Sequence, residues 1–344
     1  MRRVQVVPII YHLTSNLYHL NLPRPATISH DTDQHRSGLG YALAAFGWWG
    51  FVLPLLMLAL NAALAGFDGK GPGAASRVDW TLEVLAHRTV WTLLFCLLLV
   101  GRAGQGGQVL AIVRSRRRLG LLAATAACIA MNWGFFGLGA ATERLSQASL
   151  GYYLNPLLSI ALGVVVLGER LRPFQVLAVG LAAAGVAWET ARVGQAPWIA
   201  ILVALAFGLY GLFRKQIAAG ALTGLTTEVL LLTPLALAYF VYREAYGPEL
   251  AFGRGWLVSV LLILSGAFTA APLIWFNRAA KRLPLSTLAF LQFLTPTGQL
   301  LTAVLVNGES LPTGALISFA LIWLGVAAFL ADAGRVARDA PAAV

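Results

Sequence analysis

Three ionisable side chains sit close together in a run otherwise fit for lipid: Glu83, His87 and Arg88 within TLEVLAHRTVWTLLFCLLLVG, residues 81–101. A carboxylate and an imidazole four residues apart share one helix face, where they can attract a cation or relay a proton. The guanidinium of Arg88 lies about 100° round from His87 and needs a counter-charge or water. Glu83 also has a plain reading. If the helix starts near Trp80, Glu83 falls in its first turn, suits the helix dipole and can snorkel outward. His87 and Arg88 lie deeper, roughly 10–13 Å along the axis at 1.5 Å per residue. Glu228, in a second TxEVL-like stretch (TTEVL, 226–230), repeats Glu83. It is either a second pathway carboxylate or a second first-turn cap.

Further polar groups stand at mid-depth in other apolar runs. Tyr152, Tyr153 and Asn155 precede Pro156, and Gln292, Thr295 and Gln299 surround Pro296. A proline deprives a carbonyl of its donor and bends the helix, so these stretches either line a site or make packing kinks. Asn132 and Trp133 are candidates in another run, with Trp275, Asn277 and Arg278 weaker ones. Trp48, Trp49 and Tyr210 fit a pathway or an interfacial belt. The pathway-lining set is therefore Glu83, His87, Arg88, Asn132, Trp133, Tyr152, Asn155, Pro156, Glu228, Gln292 and Pro296. No catalytic constellation and no cofactor is expected. There is no phosphate-binding loop, no H-E-x-x-H and no paired intramembrane aspartate. Cys96 and Cys128 lie in apolar runs and read as packing residues.

The elements that must hold these groups are membrane spans. Apolar residues make up 58% of the 344, charged ones 11%, and the mean hydropathy is +0.75. A soluble chain of this length has no way to hide that much apolar surface. Ten runs of about 20 residues follow Gly38: 39–64, 81–101, 119–141, 147–168, 174–191, 197–213, 225–242, 256–277, 285–306 and 313–332. The link between the second and third, GRAGQGGQVLAIVRSRRR, is among the longest. Residues 1–37 hold four of the five histidines and read as a disordered tail or a misassigned start, with no signal peptide and no common metal spacing. Residues 333–344 read as a cytoplasmic tail.

The second half repeats the first. NPLLSIALGVVVLGERL (155–171) aligns with TPTGQLLTAVLVNGESL (295–311), an offset of 140. FGWWGF (46–51) matches FGLYGL (207–212). Two units follow, 38–191 and 196–332, each of five spans. Five is odd, so the second copy enters the membrane from the opposite side, the inverted-repeat logic of secondary transporters. His87 and Arg88 have no counterpart in the second copy, where Leu232 and Thr233 stand. Placing the N-terminus inside puts most of the 25 Lys and Arg residues on the cytoplasmic side, with Lys70, Arg77, Arg144, Arg192, Arg243 and Arg254 outside. Both termini are then cytoplasmic. The net charge of +11 reflects topology rather than nucleic acid, because the basic residues cluster between spans.

EVLAHRTVW (83–91), NWGFFGLGA (132–140), ASLGYYLNPLLSIALGVVVLGERLRPFQ (148–175), FGLYGLFRK (207–215) and LSTLAFLQFLTPT (285–297) resemble the RarD-type permeases of the EamA branch of the drug/metabolite transporter superfamily. The resemblance spans about residues 40–332. It implies an all-α membrane protein of the bacterial inner membrane, with ten helices as two inverted EamA-like five-helix repeats around a central cavity. The expected function is secondary transport of a small organic metabolite or drug-like solute by alternating access. A passive channel or facilitator, or a non-transporting sensor or scaffold, is the alternative. The expected partners are a small-molecule solute, membrane lipid and a proton or other coupling ion, with no nucleic acid.

Overall fold

The computed structural model describes residues 32–68, 74–141, 145–194, 198–246, 250–306, 308 and 313–339. Among them there are helices and turns and no strand. The helices are α1 (Thr32–Gly47), a π-helical segment (Trp48–Val52), α2 (Leu53–Asp68), α3 (Ala74–Arg102), α4 (Gly106–Arg114), α5 (Arg116–Ala141), α6 (Leu145–Leu167), α7 (Pro173–Val193), α8 (Trp198–Gln216), α9 (Ala221–Tyr246), α10 (Trp256–Ala280), α11 (Leu285–Gln292), α12 (Leu294–Leu305) and α13 (Thr313–Asp339). Nine spans among the described residues are long and apolar enough to cross a membrane, and α13 carries a shorter apolar run, Leu316–Asp332. Outward-facing Val165, Val241 and Leu305 are 70%, 70% and 77% exposed, a surface that only lipid tolerates. The protein is an all-α membrane protein.

Three boundaries differ from the sequence reading. The proposed tail falls outside the described residues up to residue 31, but residues 32–37 open α1, with Asp33 in its first turn and Ser37 Oγ donating to the Gln34 carbonyl at 2.9 Å. The helix α3 begins at Ala74, so Glu83 lies well beyond the first turn. The second link contains α4, whose Ile112 is buried with Leu122 and Ile217. Val109, Leu110, Ile112 and Val113 give that stretch one apolar stripe, enough to lie along the bundle without crossing it.

The packing is reciprocal. A Cβ at Gly185 of α7 would stand 2.8 Å from the Ser318 carbonyl oxygen of α13, and one at Gly325 of α13 would stand 2.7 Å from the Ala178 carbonyl oxygen of α7. Those four positions are related by the offset of 140. Likewise α8 packs on α6, while α1 and the π-segment pack on α12. Gly168 and Gly308, again 140 apart, have φ of +68° and +67° and occupy the left-handed region that favours glycine.

One end of the bundle is tied by charged staples. Lys215 Nζ, at the end of α8, donates to the carbonyls of Ala280 (3.3 Å) and Leu283. Lys281 Nζ, just past α10, donates to those of Ile217 (3.2 Å) and Ala219. Each ammonium satisfies carbonyls left open at the partner helix's C-terminus. At the same end Glu169 reaches 116 residues along the chain. Its Oε1 accepts from the Leu285 N–H at 2.6 Å and its Oε2 from the Ser286 N–H at 2.9 Å, capping α11. The open N–H donors at the start of α11 hold this carboxylate.

Candidate functional site

A cavity of about 670 Å³ opens between α2, α3, α5, α6, α10, α11 and α12, with Trp49 and Phe207 among the aromatic residues on its wall. Its size suits a small organic solute. The wall is largely apolar, with Arg88, Asn132, Tyr152, Asn155, Thr269 and Gln292 as polar points. The π-segment shapes one side. Gly50 seats against the carbonyls of Leu294 and Thr295, where a Cβ would approach both to 3.1 Å. Thr295 Oγ1 donates to the Phe46 carbonyl at 3.2 Å, and the wider π-turn brings Trp49 into the wall.

Arg88 is the charged feature of the wall. Its Nε donates to Thr269 Oγ1 of α10 at 3.0 Å, and the guanidinium carbon lies 4.7 Å from the centre of the Trp133 ring on α5. Thr269 Oγ1 in turn donates to the Ser265 carbonyl at 2.7 Å. The guanidinium is thus held by a hydrogen bond and a cation–π contact. Among the described residues it pairs with no carboxylate. Asn132 Nδ2 is committed to the Val203 carbonyl at 2.9 Å. Asn155 is 1% exposed, and among the described residues neither its Nδ2 nor its Oδ1 has a partner.

Glu83 and His87 face elsewhere. Glu83 Oε1 accepts from the backbone N–H of Ala251 at 2.6 Å and of Phe252 at 3.3 Å, and its Oε2 lies 3.9 Å from Arg243 Nη2. His87 Nε2 is 4.0 Å from Glu83 Oε1, and its ring stacks on Phe252 at 4.9 Å. These two groups tie α3 to the end of α9 and the turn before α10, and they do not line the cavity. The 100° step between His87 and Arg88 sends one to the helix contact and the other to the cavity.

Glu228 is also away from the cavity. It is fully buried, its Oε1 accepting from Thr125 Oγ1 at 2.6 Å and its Oε2 from the Tyr210 hydroxyl at 3.3 Å. Arg214 Nε lies 3.6 Å from Oε1, and Asn277 Nδ2 donates to the Tyr210 oxygen at 2.9 Å. As the eighth residue of α9 it is no first-turn cap.

The sequence-predicted residues therefore divide. Arg88, Asn132, Trp133, Tyr152, Asn155 and Gln292 line the cavity, whereas Glu83, His87, Pro156, Glu228 and Pro296 do not. Pro156 lies inside the continuous α6, whereas the matching span is broken at Phe293. Pro296 follows that break in the first turn of α12, where a missing N–H costs little. Gln292 and Thr295 flank the break, and both line the wall. Phe136, Phe207 and Thr269 were not singled out from sequence. Each is a common residue on an apolar helix, and only the neighbouring helices select its face. Among the described residues no group of three or more His, Cys, Asp or Glu could hold a metal.

The profile of the EamA-like transporter family matches residues 52–189. The chain is 38% identical to the protein RarD of Streptomyces exfoliatus, over 89% of this chain and 92% of that one. It is 37% identical to an uncharacterized transporter of Vibrio cholerae, over 90% of this chain and 98% of the relative. The protein RarD of Escherichia coli K12 is 35% identical over 88% and 97%. A solved structure with 16% identity superposes with a TM-score of 0.64, covering 89% of this chain and 99% of its own, so the two share a fold.

Proposed function

The chain belongs to the EamA-like transporter family, with relatives that carry the name RarD, and from that premise we propose that it is a secondary transporter of a small organic solute in the bacterial inner membrane, working by alternating access, and not an enzyme. The carrying observation is the cavity, to which helices from both halves of the chain contribute. The halves are read as two inverted five-helix units, 38–191 and 196–332. Supporting this are the reciprocal seats of Gly185 and Gly325 and the matched helix contacts.

With both termini cytoplasmic, the cavity lies in the outer half of the bundle. Met57 near the end of the first span, Trp80 early in the second, Gly137 late in the third and Ser149 early in the fourth all line it. The opposite end is held by the Lys215, Lys281 and Glu169 staples. That arrangement is outward-facing in the proposed cycle. Closing the cavity and releasing the staples would expose it to the cytoplasm.

The test is counter-flow in proteoliposomes loaded with a cell-derived metabolite mixture, each labelled metabolite assayed in turn. A secondary carrier gives saturable uptake accelerated by internal solute. Arg88→Leu should retain insertion and lose that uptake. Flux that never saturates and shows no counter-flow would make the protein a passive facilitator, and flux retained in Arg88→Leu would remove Arg88 from the site.

A further inference from the structure

On the reading that this cavity is the solute site, we infer that its solute is an organic monocarboxylate with a flat apolar body, its carboxylate on Arg88 and its body against the aromatic wall. The first support is the charge inventory. Among the described residues lining the cavity, Arg88 is the sole formal charge, and no Asp, Glu, Lys or His reaches the wall. The second is the state of that charge. Arg88 spends Nε on Thr269 and its π-facing side on Trp133, and among the described residues neither Nη has a hydrogen-bond partner. A guanidinium held this way offers a two-pronged fork of the shape a carboxylate accepts.

The third support is Asn155. A buried amide with both ends unpartnered is costly in a folded interior. Asn155 borders the cavity with this amide buried and unsatisfied, so a solute oxygen seated against it would supply the missing partner. The remaining wall is made of flat faces, Trp49, Trp133, Phe136, Tyr152 and Phe207, which suit an aromatic or alicyclic body.

Other charge types fit poorly. A cation meets Arg88 and no carboxylate. A zwitterion places an ammonium where none of the wall groups is anionic, because Glu83 is turned toward Ala251 and Phe252. A neutral solute that displaces water from the cavity leaves the guanidinium without a replacement partner.

Four matched probes test this on the detergent-purified full chain: 3-phenylpropionate, 3-phenylpropionamide, L-phenylalanine and 2-phenylethylamine. Binding is read by quenching of tryptophan fluorescence, since Trp49, Trp80 and Trp133 all line the cavity. The carboxylate should bind about 10–100-fold more tightly than the amide, the range expected for a charge-assisted pair. Arg88→Gln should remove that preference and Arg88→Lys should keep part of it. Equal or tighter binding of the amide, the amine or phenylalanine overturns the inference. So does an unchanged preference in Arg88→Gln. If that variant fails to fold, the four probes on the unmodified chain decide alone. Counter-flow separates this inference from the reading beneath it. Saturable counter-flow of a neutral or zwitterionic probe leaves the transporter standing and removes the carboxylate. Absence of both binding and counter-flow for all four probes and the metabolite mixture removes both.

Discussion

Replacing Glu169 with alanine should destabilise the bundle far more than its place in a short turn suggests. The carboxylate accepts from the N–H groups of Leu285 and Ser286 at 2.6 and 2.9 Å, and those residues are 2% and 5% exposed. Hydrogen bonds to a charged acceptor contribute about 1.5–3 kcal/mol each. Glu169 itself is only partly buried, so water entering the vacated space recovers part of that loss. The expected cost for Glu169→Ala is about 2–4 kcal/mol. Glu169→Gln keeps one acceptor and loses the charge, for about 1–2 kcal/mol. A control separates the cap from a generic charge effect. Asp332 pairs with Arg172 at 2.9 Å, but the arginine side chain is 47% exposed, so Asp332→Asn should cost no more than about 1 kcal/mol. The assay is the surviving monodisperse fraction after heating in detergent, followed by size-exclusion fluorescence. The order Ala, Gln, then the Asp332 control should appear as a descending series of midpoint shifts. A Glu169→Ala midpoint no lower than that of Asp332→Asn would refute the inter-helix cap.

Gly185→Ala and Gly325→Ala should each cost about 1–3 kcal/mol by overpacking, because each new Cβ meets a backbone carbonyl of the facing helix that has little room to give. Their midpoint shifts should be similar; one neutral and one severe substitution would break the reciprocity of α7 and α13. Glu228→Gln leaves the fully buried Arg214 without its counter-charge, at about 3–5 kcal/mol. The double variant Glu228→Leu with Arg214→Met should recover folded yield relative to the single change, and a strictly additive loss would contradict the pairing.

The spans were legible because apolar runs of this length admit little but a helix in lipid. The matched halves were legible because Gly168 with Gly308 and the aligned NPLLSIALG and TPTGQLLTA stretches keep one spacing. Side-chain direction was not. Sequence places Arg88 one residue beyond His87 and fixes the angle between them. It does not say which face meets a helix and which meets a cavity. The inter-helix cap by Glu169 carries no local signal, since its donors lie 116 residues away. Trp49 reads from sequence as either belt or pathway, and only the π-turn beside α12 selects the wall. Glu228 looks like the twin of Glu83, yet α9 starts seven residues before it and the Arg214 side chain reaches it from α8.

The wall of the cavity shows how a symmetric scaffold can hold an asymmetric site. At the offset of 140, Tyr152 corresponds to Gln292, Asn155 to Thr295 and Ser159 to Gln299. Both members of the first two pairs line the cavity, one from each half. Had the pairs kept identical side chains, a solute would find two equivalent poses related by the axis between the halves. They have not. The first half presents a free amide at Asn155, while the second presents a Thr295 hydroxyl already spent on the Phe46 carbonyl. Arg88 adds the larger difference, because the aligned position in α9 is Thr233, whose hydroxyl donates to the Val229 carbonyl of its own helix at 2.7 Å. The formal charge of the wall therefore lies on the first half, while Gln292 and Gln299 bring side-chain amides from the second. On the proposed reading, an anionic solute takes its orientation from Arg88. The proposed cycle thus draws its two end states from the duplicated bundle and its single solute pose from the residues in which the copies have diverged.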